Sequence, residues 1–102
     1  MKLISKLSEM IEEELSDAEK YIRCAIDKKD EYPELAATFH KLSLEEMVHV
    51  DMLHKQVVNL IEEYRKEHGN PPEKMQGIYD YLHKKHTDHA NEIKVMQALF
   101  KV

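Results

Sequence analysis

Two glutamates and one histidine interrupt the apolar stripes of two long amphipathic segments. Glu14 lies in the first segment, and Glu46 and His49 lie in the second, at positions where the helical repeat calls for apolar residues. Because residues three apart lie on one face of a helix, Glu46 and His49 can bind the same cation. A buried carboxylate without a partner is energetically costly, so we expect a metal ion to compensate these side chains.

One chain supplies half of the ligands used by the di-metal sites of helical bundles. Such sites take one glutamate from each of two helices and a Glu-x-x-His pair from each of the other two. Two copies of this chain would supply four glutamates and two histidines, and the four negative charges would balance two divalent cations. Carboxylate and imidazole ligands suit iron, with manganese or zinc as alternatives. The sequence therefore predicts a di-iron centre shared within a homodimer or a multiple of dimers.

The Glu-x-x-His spacing by itself is a weak signal. With 14 glutamates and seven histidines among 102 residues, chance gives about one such pair. In the alternative interpretation, the apolar stripes run beside these positions, and the three side chains are solvated at helix edges. The metal interpretation is favoured because Glu14, Glu46 and His49 all fall within apolar stripes.

Composition indicates a single all-α domain over residues 1–102. Hydrophobic residues make up 42% and charged residues 34%, with only two glycines and three prolines. The formal charge of −5 argues against nucleic acid and anionic membranes as partners. The lone Cys24 favours a reducing compartment, and no segment resembles a secretory signal or a membrane span. We therefore expect a cytoplasmic protein.

Periodicity and breaker residues predict three helices: residues 2–29, 33–68, and a third that runs from Asn70, as its cap, to the C-terminus. A break of the third helix near Thr87 is left open. The second helix would be roughly 50 Å long, too long for two shorter helices to cover, which again favours a homodimer. The expected core positions are Ile4, Leu7, Ile11, Glu14, Ala18, Tyr21 or Ile22, and Ala25; Phe39, Leu42, Glu46, His49 or Val50, Leu53, Val57, Leu60 and Tyr64; and Met75, Ile78 or Tyr79, Leu82, His86, His89 or Ala90, Ile93, Met96 and Phe100.

Polar residues recur every three positions along the third segment: Asp80, His83, His86, His89 and Glu92. A step of three drifts around a helix, so these residues cannot form one site. We expect a solvated polar band that includes His83. His86, His89 and Glu92 are kept as reserve ligands, for the case in which the third helix folds back beside the second. The other three histidines, His40, His54 and His68, are expected at the surface.

Two segments resemble ferritin-like proteins. Glu14–Tyr21 (ELSDAEKY) resembles their first-helix signature, a glutamate ligand with a tyrosine seven residues later, and Leu44–Asp51 (LEEMVHVD) is similar to the second-helix segment of bacterioferritins. The resemblance implies a ferritin-like four-helix bundle in which Glu14 is a terminal ligand, Glu46 a bridging ligand and His49 the nitrogen ligand. By the same likeness Tyr21 would lie beside the ligands, where it would hydrogen-bond or donate an electron.

Ferritin-like proteins bind iron and commonly oxidise Fe(II) with oxygen or peroxide. Full-length members carry a second ligand set in a third and fourth helix, and this chain has no second Glu-x-x-His at a matching place. It resembles most the encapsulated ferritin-like proteins, which dimerise two-helix protomers around a shared site, although nothing after Phe100 resembles their C-terminal docking tail. Met47 matches the methionine that ligates haem in bacterioferritins, but methionine is also an ordinary filler of helical interfaces. The rival function is a helical structural or interaction module, in which buried polar residues fix pairing register.

Overall fold

The protein consists of three α-helices. The computed structural model describes residues 2–101, with α1 over Lys2–Lys28, α2 over Pro33–His68 and α3 over Glu73–Leu99. α1 and α2 form an antiparallel hairpin, and α3 runs parallel to α1 along one side of it. The described residues span 56 × 18 × 17 Å. The all-α prediction is confirmed, while a four-helix bundle made from two chains stays a prediction.

The ends of α2 follow the sequence signals. Pro33 is its first residue, a position where a proline loses no helical hydrogen bond. Gly69 follows the last turn with φ of 75°, and its N–H donates to the carbonyl of Arg65 at 2.9 Å. This left-handed conformation favours glycine because a Cβ would be strained there. Both predicted bounds of α2 are confirmed.

α3 differs from its prediction at both ends. It begins at Glu73 with Pro72 in the capping position and no side-chain cap, so the expected Asn70 cap is wrong. The cause is the proline pair, because Pro72 disfavours helical conformation at Pro71. The helix is continuous through Thr87 and ends at Leu99, with Phe100 extended. The helix therefore ends earlier than predicted, since the prediction ran to the C-terminus; Val102 lies outside the described residues.

The core lies between α1 and α2 and is closed by the last third of α3. One cluster joins Ile11, Leu15 and Ala18 of α1 with buried residues of α2 and α3, and a second surrounds Ile22 near the α1–α2 turn. Several predicted core positions are confirmed as buried: Ile4, Ile11, Ala18, Ile22, Ala25, Val50, Ile93 and Phe100. Others were missed by the apolar stripes: Ser8, Leu15, Ala36, Ser43, Met47 and Gln97.

α3 covers only one side of the hairpin. Glu12 and Glu19 of α1 contact α3, and the residues two positions later, Glu14 and Tyr21, lie about 200° further around the helix. The uncovered side, called here the open face, carries half-buried or exposed apolar residues of both helices: Leu3, Leu7, Met10 and Tyr21 of α1, and Leu35, Phe39, Leu42, Leu53 and Leu60 of α2. Within residues 2–101 no helix contains a stretch long and apolar enough to cross a membrane.

A buried polar contact ties the three helices together at one level. The hydroxyl of Ser43, which is fully buried, donates to the carbonyl oxygen of Ala18 at 2.7 Å. The same hydroxyl accepts a hydrogen bond from the amide of Gln97 at 2.9 Å. One side chain of α2 therefore holds both α1 and α3.

Ser43→Ala is expected to lower the free energy of unfolding by about 1–3 kcal/mol, because the buried amide of Gln97 loses its acceptor. Urea denaturation followed by circular dichroism measures the change. Ser16→Ala, on the exposed surface of α1, is the matched control and should change little. Equal stability of the two variants would contradict the proposed weight of this contact.

Candidate metal centre

The predicted ligands meet at the edge of the α1–α2 hairpin. Glu14, Glu46 and His49 each offer one ligand atom, and these atoms all lie within 4.8 Å of one another. The Nδ1 atom of His49 lies 3.4 Å from Oε2 of Glu14 and 3.7 Å from Oε2 of Glu46. Among the described residues, this is the one group of three or more acidic, histidine or cysteine side chains whose ligand atoms converge this closely.

Glu46 is the least satisfied member of this cluster. Its side chain is only 18% exposed, and its Oε2 atom is buried without a hydrogen-bond partner among the described residues. The 3.7 Å separation from His49 permits an ion pair when the imidazole is protonated, but it is too long for a hydrogen bond. A buried carboxylate oxygen in this state is destabilising unless a cation binds it.

The cluster opens onto the open face of the hairpin. The side chain of His49 is 52% exposed and that of Glu14 is 29% exposed, so the side of the cluster away from Glu46 is accessible. Three converging ligand atoms, two carboxylate and one imidazole, match the donors that iron, manganese and zinc accept. Three ligand atoms from one chain would not fill the coordination positions of such a metal ion, so water or another protein chain would supply the remaining ligands.

The reserve ligands lie elsewhere. Nε2 of His86 is 3.3 Å from Oε1 of Glu12, and Nε2 of His89 donates to Oε1 of Glu19 at 2.8 Å. Glu92 is exposed and has no hydrogen bond or ion pair with a described residue. α3 therefore places His86 and His89 on the opposite side of α1 from the cluster and does not complete the site within one chain.

The two other residues singled out by the sequence have clear packing roles. Tyr21 stacks on Phe39, with ring centroids 6.2 Å apart, at the open face. It lies two helical turns, about 10 Å, from Glu14, which is too far for a direct hydrogen bond to the ligands. Met47 is buried in the core cluster with Leu15 and Ile93, so its side chain would have to leave this core to bind a haem on the surface.

Two histidines expected at the surface are half-buried against α3. Nε2 of His40 donates a hydrogen bond to the carbonyl oxygen of Gln97 at 3.2 Å, and its ring stacks on Phe100. His54 contacts His83 of α3, and its pKa lies below the ordinary value of 6.5, mainly because of burial and also because of the nearby His83. The expectation was wrong for His40 and His54 because it did not consider the side of α2 that faces α3. His68 is exposed, as expected.

The glutamates that face α3 have lowered pKa values. At Glu19, hydrogen bonds from His89 and Arg23 lower the pKa below its ordinary value of 4.5. At Glu12, partial burial raises the pKa, but the contacts with His86 and Lys85 outweigh it and the net pKa is lowered. Since both folded pKa values lie below the ordinary one, these ion pairs stabilise the protein above about pH 4.5 and lose their effect in more acidic solution.

Glu19→Gln is expected to lower the stability of the protein at about pH 6, and this deficit should shrink as the pH falls below the ordinary carboxyl pKa. Chemical denaturation of wild type and variant across this range measures the difference. Glu13→Gln, which changes an exposed glutamate of the same helix, is the control. A deficit that stays constant with pH would show that the Glu19 carboxylate charge does not stabilise α3 packing.

Comparison of the chain with models of protein families, with curated proteins and with solved structures finds no match. The resemblance of the Glu14–Tyr21 and Leu44–Asp51 segments to ferritin-like proteins therefore stays a prediction. What the site can do is argued from the geometry of Glu14, Glu46 and His49.

Proposed function

We propose that the chain is a ferritin-like di-iron-binding protein, with Fe(II) oxidation by oxygen or peroxide as its activity at a site shared in a homodimer. The observation that supports it most is the unpartnered, buried Oε2 atom of Glu46 beside Glu14 and His49. An apolar stripe retains such a carboxylate at a cost in stability, and binding a cation compensates that cost.

The ligand set is compatible with iron. Carboxylate oxygens bridge or terminally bind hard cations, and a single imidazole adds a neutral nitrogen ligand of the kind that iron accepts. Manganese and zinc share these preferences and remain alternatives. In this proposal Glu14 and Glu46 would hold the cations through their carboxylates, and His49 would complete the protein ligands contributed by one chain.

A second copy supplies what one chain lacks. The cluster lies on the open face, where apolar residues flank it along both helices, for example Leu42 and Leu53 on α2. From Leu35 to Leu53 the open-face residues of α2 alternate steps of four and three, the spacing that lets helices pack side by side. Two open faces related by a two-fold axis would bring together four glutamates and two histidines around two cations, with no net charge.

The proposed reaction is a simple electron balance in which Fe(II) is the substrate. Two Fe(II) ions lose one electron each, and one hydrogen peroxide molecule takes both electrons and two protons to leave two water molecules. Glu14, Glu46 and His49 would hold the ions close together, so that one oxidant molecule meets both. Tyr21 lies on the same face of α1, within reach for electron transfer but outside hydrogen-bond distance of the ligands.

Metal content tests the proposal directly. Protein loaded with Fe(II) without oxygen and then desalted should hold about one iron per chain, or two per dimer. Replacing Glu46 and His49 together with alanine should abolish this iron. The matched control is replacement of His86 and His89 with glutamine, which alters two half-buried histidines outside the cluster. Equal and weak Fe(II) binding by wild type and the alanine variant would overturn the proposal.

Mass in solution tests the shared site. Leu42→Lys introduces a charge on the open face and should convert a dimer into a monomer with reduced iron content. Val48→Lys, at an exposed position outside the open face, is the control and should leave the mass unchanged. Light scattering measures the mass, and circular dichroism verifies that both variants stay helical. Full iron binding by a monomeric Leu42→Lys protein would contradict a site shared between chains.

A helical interaction module is the second candidate. Exposed apolar side chains on α3, such as Ile78, Tyr81 and Val95, favour it, because they lie outside the proposed metal-binding face. In that case Glu46 and His49 would fix pairing register without a metal. The same iron measurement separates the two candidates.

A further inference from the structure

A second group of histidines lies on the other side of the molecule, between α2 and α3. A cavity of about 290 Å³ separates the two helices there, with apolar walls that include Val57, Ile61 and Leu82. Three histidines line it: His54 from α2, and His83 and His86 from α3. The proposed di-iron site uses none of these residues.

His54 and His83 face each other directly. Their ring centroids are 5.1 Å apart and their planes are nearly perpendicular, at 89°. Neither ring forms a hydrogen bond or an ion pair with another described residue. The other histidines each lie near a partner oxygen: a backbone carbonyl for His40, and a carboxylate for His49, His68, His86 and His89. This pair is therefore the one whose ring nitrogens are left uncommitted in the described structure.

The separation of the two rings matches a shared metal ion. A metal–nitrogen bond of about 2.0–2.1 Å puts the ion roughly 3.2 Å from the centre of each imidazole ring. Two such rings at a tetrahedral angle would have centroids about 5.2 Å apart. The observed centroid separation of 5.1 Å is close to this value, so the distance between the two rings suits a shared ion.

We propose that His54 and His83 bind one divalent transition-metal ion of the imidazole-preferring group that includes zinc, nickel and copper, and thereby link α2 to α3. Water would complete the coordination. Asp51 and Asp80, three residues before each histidine, line the same cavity. Imidazole pairs with few carboxylates favour these cations over magnesium or calcium.

The link would act where α3 is held least. The buried residues of α3 are Ile93 and Gln97, so residues 73–92 bury no side chain fully against the hairpin. Near its start, the hydrogen bond between Arg65 and Gln76 at 3.1 Å is exposed. A metal ion held between His54 and His83 would add a cross-link between helices in this region, and it would stabilise the folded chain by binding it preferentially.

Calorimetric titration with Zn²⁺ tests the proposal in a chain that already carries Glu46→Gln and His49→Gln, so that the other cluster does not contribute. We expect one zinc ion per chain. His54→Gln and His83→Gln should each weaken binding by about tenfold or more, since even loss of a group that only supports a ligand costs about 10–100-fold. His68→Gln, at an exposed position on α2, is the control and should leave the affinity unchanged.

Two results would overturn the proposal: absence of zinc binding in the parent chain, or binding that survives His54→Gln. In the second case the ion would be held by His83 and His86 on α3 alone, and His86→Gln would remove it. Thermal unfolding gives an independent readout. Zinc should raise the melting temperature of the parent chain and leave that of the His83→Gln chain unchanged; because His83 is exposed, this variant is expected to fold.

Discussion

The hydroxyl of Ser43 fixes the relative positions of the three helices. It lies against the backbone of Ala18 with no exposed surface on either residue, which requires α1 and α2 to approach closely at this level. Small side chains allow such an approach, and the distance between helix axes follows their size. Glu14 lies one turn before Ala18, and Glu46 lies one turn after Ser43, so the same contact places both carboxylates at one height. The arrangement of Glu14, Glu46 and His49 therefore depends on a neutral hydrogen bond in the core beside it.

The carboxylates on the two sides of the hairpin have different partners. On the side of α3, Glu12 and Glu19 meet histidine and lysine side chains, and their charges are compensated within the chain. On the open face, the buried Oε2 atom of Glu46 has no hydrogen bond to a described residue, and its nearest ionisable contact is Nδ1 of His49 at 3.7 Å. In natural proteins, residues that conflict with the fold, such as a buried carboxylate oxygen without a hydrogen bond, are expected mainly at functional sites. The contrast between Glu19 and Glu46, on facing helices of one hairpin, is the strongest argument for a bound cation.

Local signals made the bounds of α2 and the convergence of Glu14, Glu46 and His49 predictable. Pro33 and Gly69 mark the ends of α2 through their own backbone conformations. Glu14 and Glu46 come together because each occupies a position in the apolar stripe of its helix. The side on which α3 packs was not predictable in this way. Leu42 and Leu53 are apolar, but their pattern does not tell whether another helix of the chain covers them. Ser43 and Gln97 were missed in the core because they satisfy each other across 54 positions of sequence. The contact of His54 with His83 depends likewise on the rotation of α3.

In the proposed dimer, the position of α3 along one side of the hairpin would also limit how copies of the chain associate. In a pair formed about a two-fold axis through the open face, the open face of each copy would be covered by the open face of the other, and none of it would stay free. The third helices would then lie on the outside of the pair, where they add no further copy of the same surface. Such an arrangement is closed, unlike a head-to-tail contact, which continues into a filament. The one-sided packing of a single helix would in this way determine where growth of the assembly stops.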